Sequence, residues 1–126
     1  MKTKVILVCL ITVSLVMSLL LSGSAVATEE KEVKIGIMQA LTGDLGTYGG
    51  PMTDAAKLAI KEVNENGGVL GVDIIAIVED TATSENQAVD AANKLVKMDK
   101  VPAIIGTTSS GPSMAIIGIT TSNGVL

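Results

Sequence analysis

Residues 33–68 read "VKIGIMQALTGDLGTYGGPMTDAAKLAIKEVNENGG". Val33 to Met38 alternates apolar and small or polar residues, the period of a strand. Gln39 to Gly50 is rich in glycine and hydroxyls, the composition of a loop. Pro51 suits a helix first turn, where a missing N–H costs nothing. From there to about Asn66, Met52, Ala56, Ala59, Ile60 and Val63 fall on one helical face. Gly67-Gly68 stops the helix, because glycine takes the left-handed cap without strain. One strand, one loop and one helix are therefore spelled out in order.

The unit recurs. Val72 to Val78, "VDIIAIV", predicts a second strand, and Glu79 to Thr83 a polar loop. Ser84 with Gln87 three residues later forms a capping box that opens a second helix, running to about Lys100 with Ala88, Ala91, Ala92, Leu95 and Val96 on its buried side. Val101 to Ile105 predicts a third strand. A third helix follows from about Gly111 to Ser122, although its many β-branched residues oppose helix. Asn123-Gly124 ends it, and Val125-Leu126 reads as the start of a fourth strand. Strands alternating with helices define an α/β fold, a parallel sheet between two helical layers.

The segment before the first strand has a different character. Lys2 and Lys4 precede an apolar run from Val5 to Leu21, and Ala25-Val26-Ala27 is a small-residue cleavage site. This is the layout of a secretory signal peptide spanning residues 1–27. The run is about 17 residues, near the lower limit for spanning a bilayer, so an uncleaved membrane tether is the alternative expectation.

Composition excludes several chemistries. The only cysteine, Cys9, lies in the leader, and the chain has neither histidine nor arginine. Ser-His and Cys-His catalysis and most zinc sites are thereby removed, so no metal and no cofactor is expected. From Thr28 onward seven lysines face thirteen carboxylates, a net charge of −6. An acidic chain with one aromatic residue, Tyr48, is poorly suited to nucleic acid. Neither a phosphate-binding loop nor a nucleophile elbow occurs. A small α/β enzyme is thus disfavoured.

The stretch with the most chemistry is Gly106 to Ser113, "GTTSSGPS". Four hydroxyls, Thr107 to Ser110, stand between an apolar strand and a helix. Open parallel sheets bind ligands at the carboxyl ends of strands where the order reverses. If the order is 2-1-3, the crevice lies between the loops 39–50 and 106–113. The second loop feeds a helix N-terminus, whose free N–H groups and dipole attract an anion. Neither loop contains lysine, so a small carboxylate fits better than a polyphosphate. One serine could simply cap the helix, but a cap needs only one hydroxyl. Tyr48, in the glycine-rich loop at the crevice, is the expected wall against an apolar part of the ligand. Asp44, Asp54 and Asp73 read as solvated charges, and Glu79 and Asp80 as loop structure.

The 33–71 stretch, together with "VEDTATSENQAVDAANKLV" and "AIIGTTSSGPS", resembles the start of a type I periplasmic binding protein. The group most alike is the Leu/Ile/Val-binding one that serves ABC importers. The resemblance covers Val33 to Leu126 and rests on "QALTG", Tyr-Gly, the Asn-Glu-Asn-Gly-Gly-Val-Leu-Gly run and the hydroxyl loop. It implies a two-lobed, non-catalytic receptor outside the cytoplasm that closes on its ligand and passes it to a membrane permease. It further implies that Ser109 and Ser110, with Thr108 beside them, hold the α-carboxylate of an amino acid while Tyr48 lies along its side chain. A sensor for amino acids, amides or urea, joined to a signalling module, is the second reading. The chain stops as the fourth strand begins. The expectation is therefore an N-terminal fragment, with 28–126 the first part of lobe one, that binds its ligand weakly or not at all by itself.

Overall fold

The computed structural model describes residues 32–126, so the leader, its cleavage site and residues 28–31 lie outside the described residues. Three parallel strands form one sheet in the order β2-β1-β3. They are β1 (Val33–Gln39), β2 (Ile74–Asp80) and β3 (Ile104–Gly106). The helices are α1 (Gly46–Glu65), α2 (Glu85–Asn93) and α3 (Ser110–Ser122). The expected order of elements and the reversal beside β1 are both present. Right-handed crossovers account for the layering: the chain moves one way from β1 to β2 and back across β1 to β3, so α1 and α2 fall on opposite faces.

The core lies on the α2–α3 face. Met38 from β1 packs with Ala88, Ala91, Ala92, Leu95, Val101 and Ile116, all buried. Ile77 and Ile104 extend this cluster across the sheet. The packing explains why α3 is a helix despite its β-branched residues. Tertiary burial of Ile116 against α2 outweighs a propensity cost of a few tenths of a kcal/mol, roughly, per residue.

Several boundaries differ from those the sequence predicts. α1 begins at Gly46, not at Pro51, which lies inside it. Glycine is a poor helix former, and the run Gly46–Gly50 therefore reads as loop. Packing requires it: a Cβ on Gly49 would sit 1.9 Å from the Ala40 carbonyl oxygen. The second strand starts at Ile74 rather than Val72 and includes Glu79 and Asp80. Val72 instead pairs back to Val69 (N···O 2.8 and 3.1 Å) around a tight turn at Leu70 and Gly71, φ 54° and 80°. α2 ends in a π-helical turn, Lys94–Met98, closed by the Asp99 N–H to the Lys94 carbonyl. The third strand is short, because Val101 donates its N–H to the Leu95 carbonyl and packs in the core instead of joining the ladder.

Other local readings are met. Ser84 caps α2, its Oγ accepting from the Gln87 N–H at 3.4 Å. The end of α1 is closed by the Gly67 and Gly68 N–H groups to Asn64 and Val63. Leu126 lies along the outer edge of β3, donating to the Pro102 carbonyl (3.1 Å) and accepting from the Ile104 N–H (2.7 Å). That is the bonding pattern of a fourth parallel strand.

Candidate ligand-binding site

At the carboxyl ends of β1 and β3 the two loops expected to flank a crevice are directly bonded. The Thr108 hydroxyl accepts from the Ala40 N–H (3.1 Å) and donates to Gln39 Oε1 (2.7 Å). Gln39 is almost wholly buried, so this bond satisfies a polar group that water cannot reach. Gly106 permits the approach. Its φ is 142°, and a Cβ there would stand 1.9 Å from the Met38 carbonyl oxygen.

The hydroxyl row divides in two. Thr107 Oγ1 donates to the Ser109 carbonyl at 2.8 Å and lies 2.7 Å from Ser113 Oγ. Ser113 Oγ also reaches the Ser109 carbonyl at 2.9 Å. Together these bonds wrap the loop into the first turn of α3. Thr108 gives its single proton to Gln39. It therefore braces the loop and cannot at the same time donate to a ligand. Ser109 occupies the N-cap position of α3, yet its side chain makes no capping bond. Among the described residues the Ser109 and Ser110 hydroxyls form no hydrogen bond. The capping explanation weighed for these serines does not account for their hydroxyls. The first α3 bond runs from the Ser113 N–H to the Ser109 carbonyl, and Pro112 has no N–H. The earlier N–H groups, of Ser110 and Gly111, are the ones a helix leaves open at its start.

Across the rim, Tyr48 stands in the first turn of α1. Its N–H, like that of Gly49, bonds the Leu45 carbonyl. Its side chain is 62 % exposed, so it is not packed into the core. The loop before it is held from the β2 side. Asp80 Oδ1 accepts from the N–H groups of Leu41 (2.8 Å), Thr42 (3.2 Å) and Ala82 (2.7 Å), and Oδ2 accepts from the Thr42 hydroxyl (2.6 Å). Thr83 Oγ1 accepts from the Leu45 N–H at 3.1 Å. Partial burial pushes the Asp80 carboxyl up. The Thr42 hydroxyl and the three main-chain N–H groups together outweigh that, and the group is held below its ordinary value. Next to it, Lys94 pairs with Glu79, whose hydrogen bond and charge push the lysine up.

Gln39 and Thr83 were not singled out by the sequence, whereas Asp80, read as loop structure, does hold this loop. The available signal was positional: in a 2-1-3 sheet the residue ending β2 lies beside the loop leaving β1. The described residues contain no group of three or more carboxylate, histidine or cysteine side chains placed to hold a metal. No described helix is long and apolar enough to cross a membrane.

A three-layer α/β fold with its strand reversal beside β1 leaves a rim at the carboxyl ends of the strands where such folds bind small ligands. The family model described as periplasmic binding protein matches residues 32–126, and the chain belongs to that family. It is 34 % identical over 95 residues to the Leu/Ile/Val-binding protein BraC3 of Rhizobium johnstonii, covering 75 % of this chain and 26 % of that protein. Among solved structures it is similar to the branched-chain amino acid transporter substrate-binding protein LivJ of Streptococcus pneumoniae in complex with isoleucine. There the TM-score is 0.73 at 33 % identity, over 75 % of this chain and 27 % of that one. A fatty acid ABC transporter substrate-binding protein from Thermomonospora curvata is also similar, with TM-score 0.70 at 33 % identity, over 75 % of this chain and 24 % of that one. The chain thus spans about a quarter of the length of the relatives it matches. These family and fold neighbours are substrate-binding proteins rather than enzymes.

Proposed function

We propose that this chain supplies the carboxylate-holding part of an extracytoplasmic solute receptor that serves an ABC importer, and that the solute is a branched-chain or similar small amino acid. The observation that carries this reading is the division of the hydroxyl row. Thr107, Thr108 and Ser113 are consumed in holding the loop, whereas Ser109 and Ser110 are left with unused donors at the start of α3. Two neutral hydroxyls, two open N–H groups and a helix dipole suit a single carboxylate. Tyr48 borders the ligand's apolar part. The neighbours support the carboxylate, which isoleucine and a fatty acid have in common besides an aliphatic chain. Location outside the cytoplasm follows from the family and from the leader read at residues 1–27. The membrane permease is the partner that would receive the solute.

The test is an NMR titration of the 126-residue chain with L-isoleucine and, separately, with L-isoleucinamide. NMR is chosen because a quarter-length chain is expected to bind weakly. Isoleucine should shift the Ser109, Ser110 and Gly111 amides, and the amide should leave them in place. Ser109→Ala and Ser110→Ala should each weaken the effect about tenfold, the cost of one hydrogen bond to a charged group. Equal shifts from isoleucinamide would overturn the carboxylate reading and favour a sensor of amides.

A further inference from the structure

The β1–α1 loop that leads to Tyr48 makes its side-chain-mediated bonds mainly to the last residue of β2 and the loop after it. Asp80 alone gathers the N–H groups of Leu41 and Thr42 and the Thr42 hydroxyl, within 2.6 to 3.2 Å. Its Oδ1 also takes the Ala82 N–H at 2.7 Å, which fixes the carboxylate on its own loop. Thr83 then takes the Leu45 N–H, and the Leu45 carbonyl takes the Tyr48 N–H at 3.0 Å. A series of bonds therefore runs from β2, two strands away from the hydroxyl loop, to Tyr48. Other charged groups share the neighbourhood. Glu79, Asp90 and Lys94 line the same groove of about 270 Å3, and Glu79 is paired with Lys94. Asp44 lies in the loop itself. Among the described residues only Asp80 bonds the loop through a charged side chain.

We propose that Asp80 is a positioning residue for the ligand site: by holding Leu41 and Thr42 it sets the first turn of α1, and with it Tyr48, opposite the Ser109–Ser110 hydroxyls. Asp80 touches no ligand in this scheme. Its importance for binding rests on the reading above, whereas its hold on Tyr48 does not. A carboxylate suits the task because it offers several lone pairs to donors converging from different directions, and bonds to a charged acceptor are about twice as strong as neutral ones.

The chain contains one tyrosine and no tryptophan, so its intrinsic fluorescence reports Tyr48 alone. The experiment compares the 126-residue chain with its Asp80→Asn variant by tyrosine anisotropy, by residue-resolved amide exchange and by isoleucine titration. The expected result is exchange at Leu41 and Thr42 faster by about tenfold or more, the equivalent of one charged hydrogen bond, with lowered Tyr48 anisotropy. Exchange at Ala88, Ala92 and Leu95 should stay as it was, and isoleucine should bind several-fold more weakly. Thr42→Val, which removes only the Oδ2 partner, should move the same signals by a smaller amount and serves if Asp80→Asn fails to fold. Unchanged Tyr48 anisotropy, or loop exchange rising only in step with the core amides, would reduce Asp80 to a general stabiliser and overturn the proposal. If isoleucine fails to shift even the unsubstituted chain, this chain does not hold the ligand by itself. Anisotropy and exchange would still decide what Asp80 does.

Discussion

On one face of the sheet, Met38, Ala88, Ala92 and Leu95 are fully removed from solvent. On the other face α1 lies over β1 and β2, and Met52, Val63 and Ile105 stay 45, 38 and 42 % exposed along a groove of about 440 Å3. Both faces carry apolar side chains at helical and strand spacing. What differs is the number of helices. α2 packs on the sheet and, more extensively, on α3, whereas the main contacts of α1 are with β1 and β2. Burial comes from surrounding a side chain, and a single helix surrounds little. The rim between the faces is held in a third way, by polar bonds among loops, which need few atoms and leave the surface open to a solute.

The sharpest break of this comparison is a matched truncation. Leu95→Ala should cost about 2–5 kcal/mol, as a fully buried leucine leaves both lost contacts and a cavity. Val63→Ala should cost less than about 1 kcal/mol, because much of its side chain already meets water. Urea denaturation of both variants measures this, and similar losses would mean that the two faces do not differ in the way described.

A second pair sharpens the account of the rim. Thr108→Val strands the Ala40 N–H and Gln39 Oε1 and should cost about 1–3 kcal/mol, the penalty for an unsatisfied buried polar group. Ser110→Ala should stay within about 0.5 kcal/mol, since among the described residues no hydrogen bond uses that hydroxyl. Thermal melts of the two variants would show whether the row is divided between structure and ligand. If Ser110→Ala proves the costlier, the division is wrong.

Away from the rim, Ser84→Ala removes the α2 cap. The expected loss is about 0.5–1 kcal/mol, at the low end for such caps because the bond to Gln87 is long at 3.4 Å. Helical content by circular dichroism near the melting point should fall accordingly.

The smallest effect expected is in pH dependence. The folded state holds the Asp80 carboxyl below its ordinary value of 3.8, so the folded chain favours the ionised form. Its contribution to stability is therefore complete above that value and is lost as pH falls through the depressed folded one. The denaturation midpoint should fall more steeply with descending pH in the unsubstituted chain than in Asp80→Asn. A parallel decline in both would mean that the carboxylate is no better satisfied folded than unfolded.

Much of the fold was legible because its signals are local. The period of "VKIGIM", the Ser84–Gln87 box and the Gly67-Gly68 stop each involve residues within one turn of one another. So does the apolar-to-hydroxyl switch at Gly106, which pointed to the loop at the rim, although the choice of Ser109 and Ser110 within it came from the family resemblance. The early start of α1 was hidden because glycine at position 49 answers to the Ala40 carbonyl and not to helix propensity. Which groups Thr108 and Asp80 hold was hidden for the same kind of reason. Their partners lie 68 and 39 positions away in the chain, at Ala40 and Leu41.

By itself, then, the sequence determined the βαβαβα order and the composition of the loops that follow the strands, since periodicity and turn chemistry act between near neighbours, whereas the β2-β1-β3 strand order came only with the fold. The tertiary structure decided which hydroxyls remain available. A hydroxyl has one proton to give, and only the pairing of β1 with β3 shows that Thr108 gives its proton to Gln39 while Ser109 and Ser110 keep theirs.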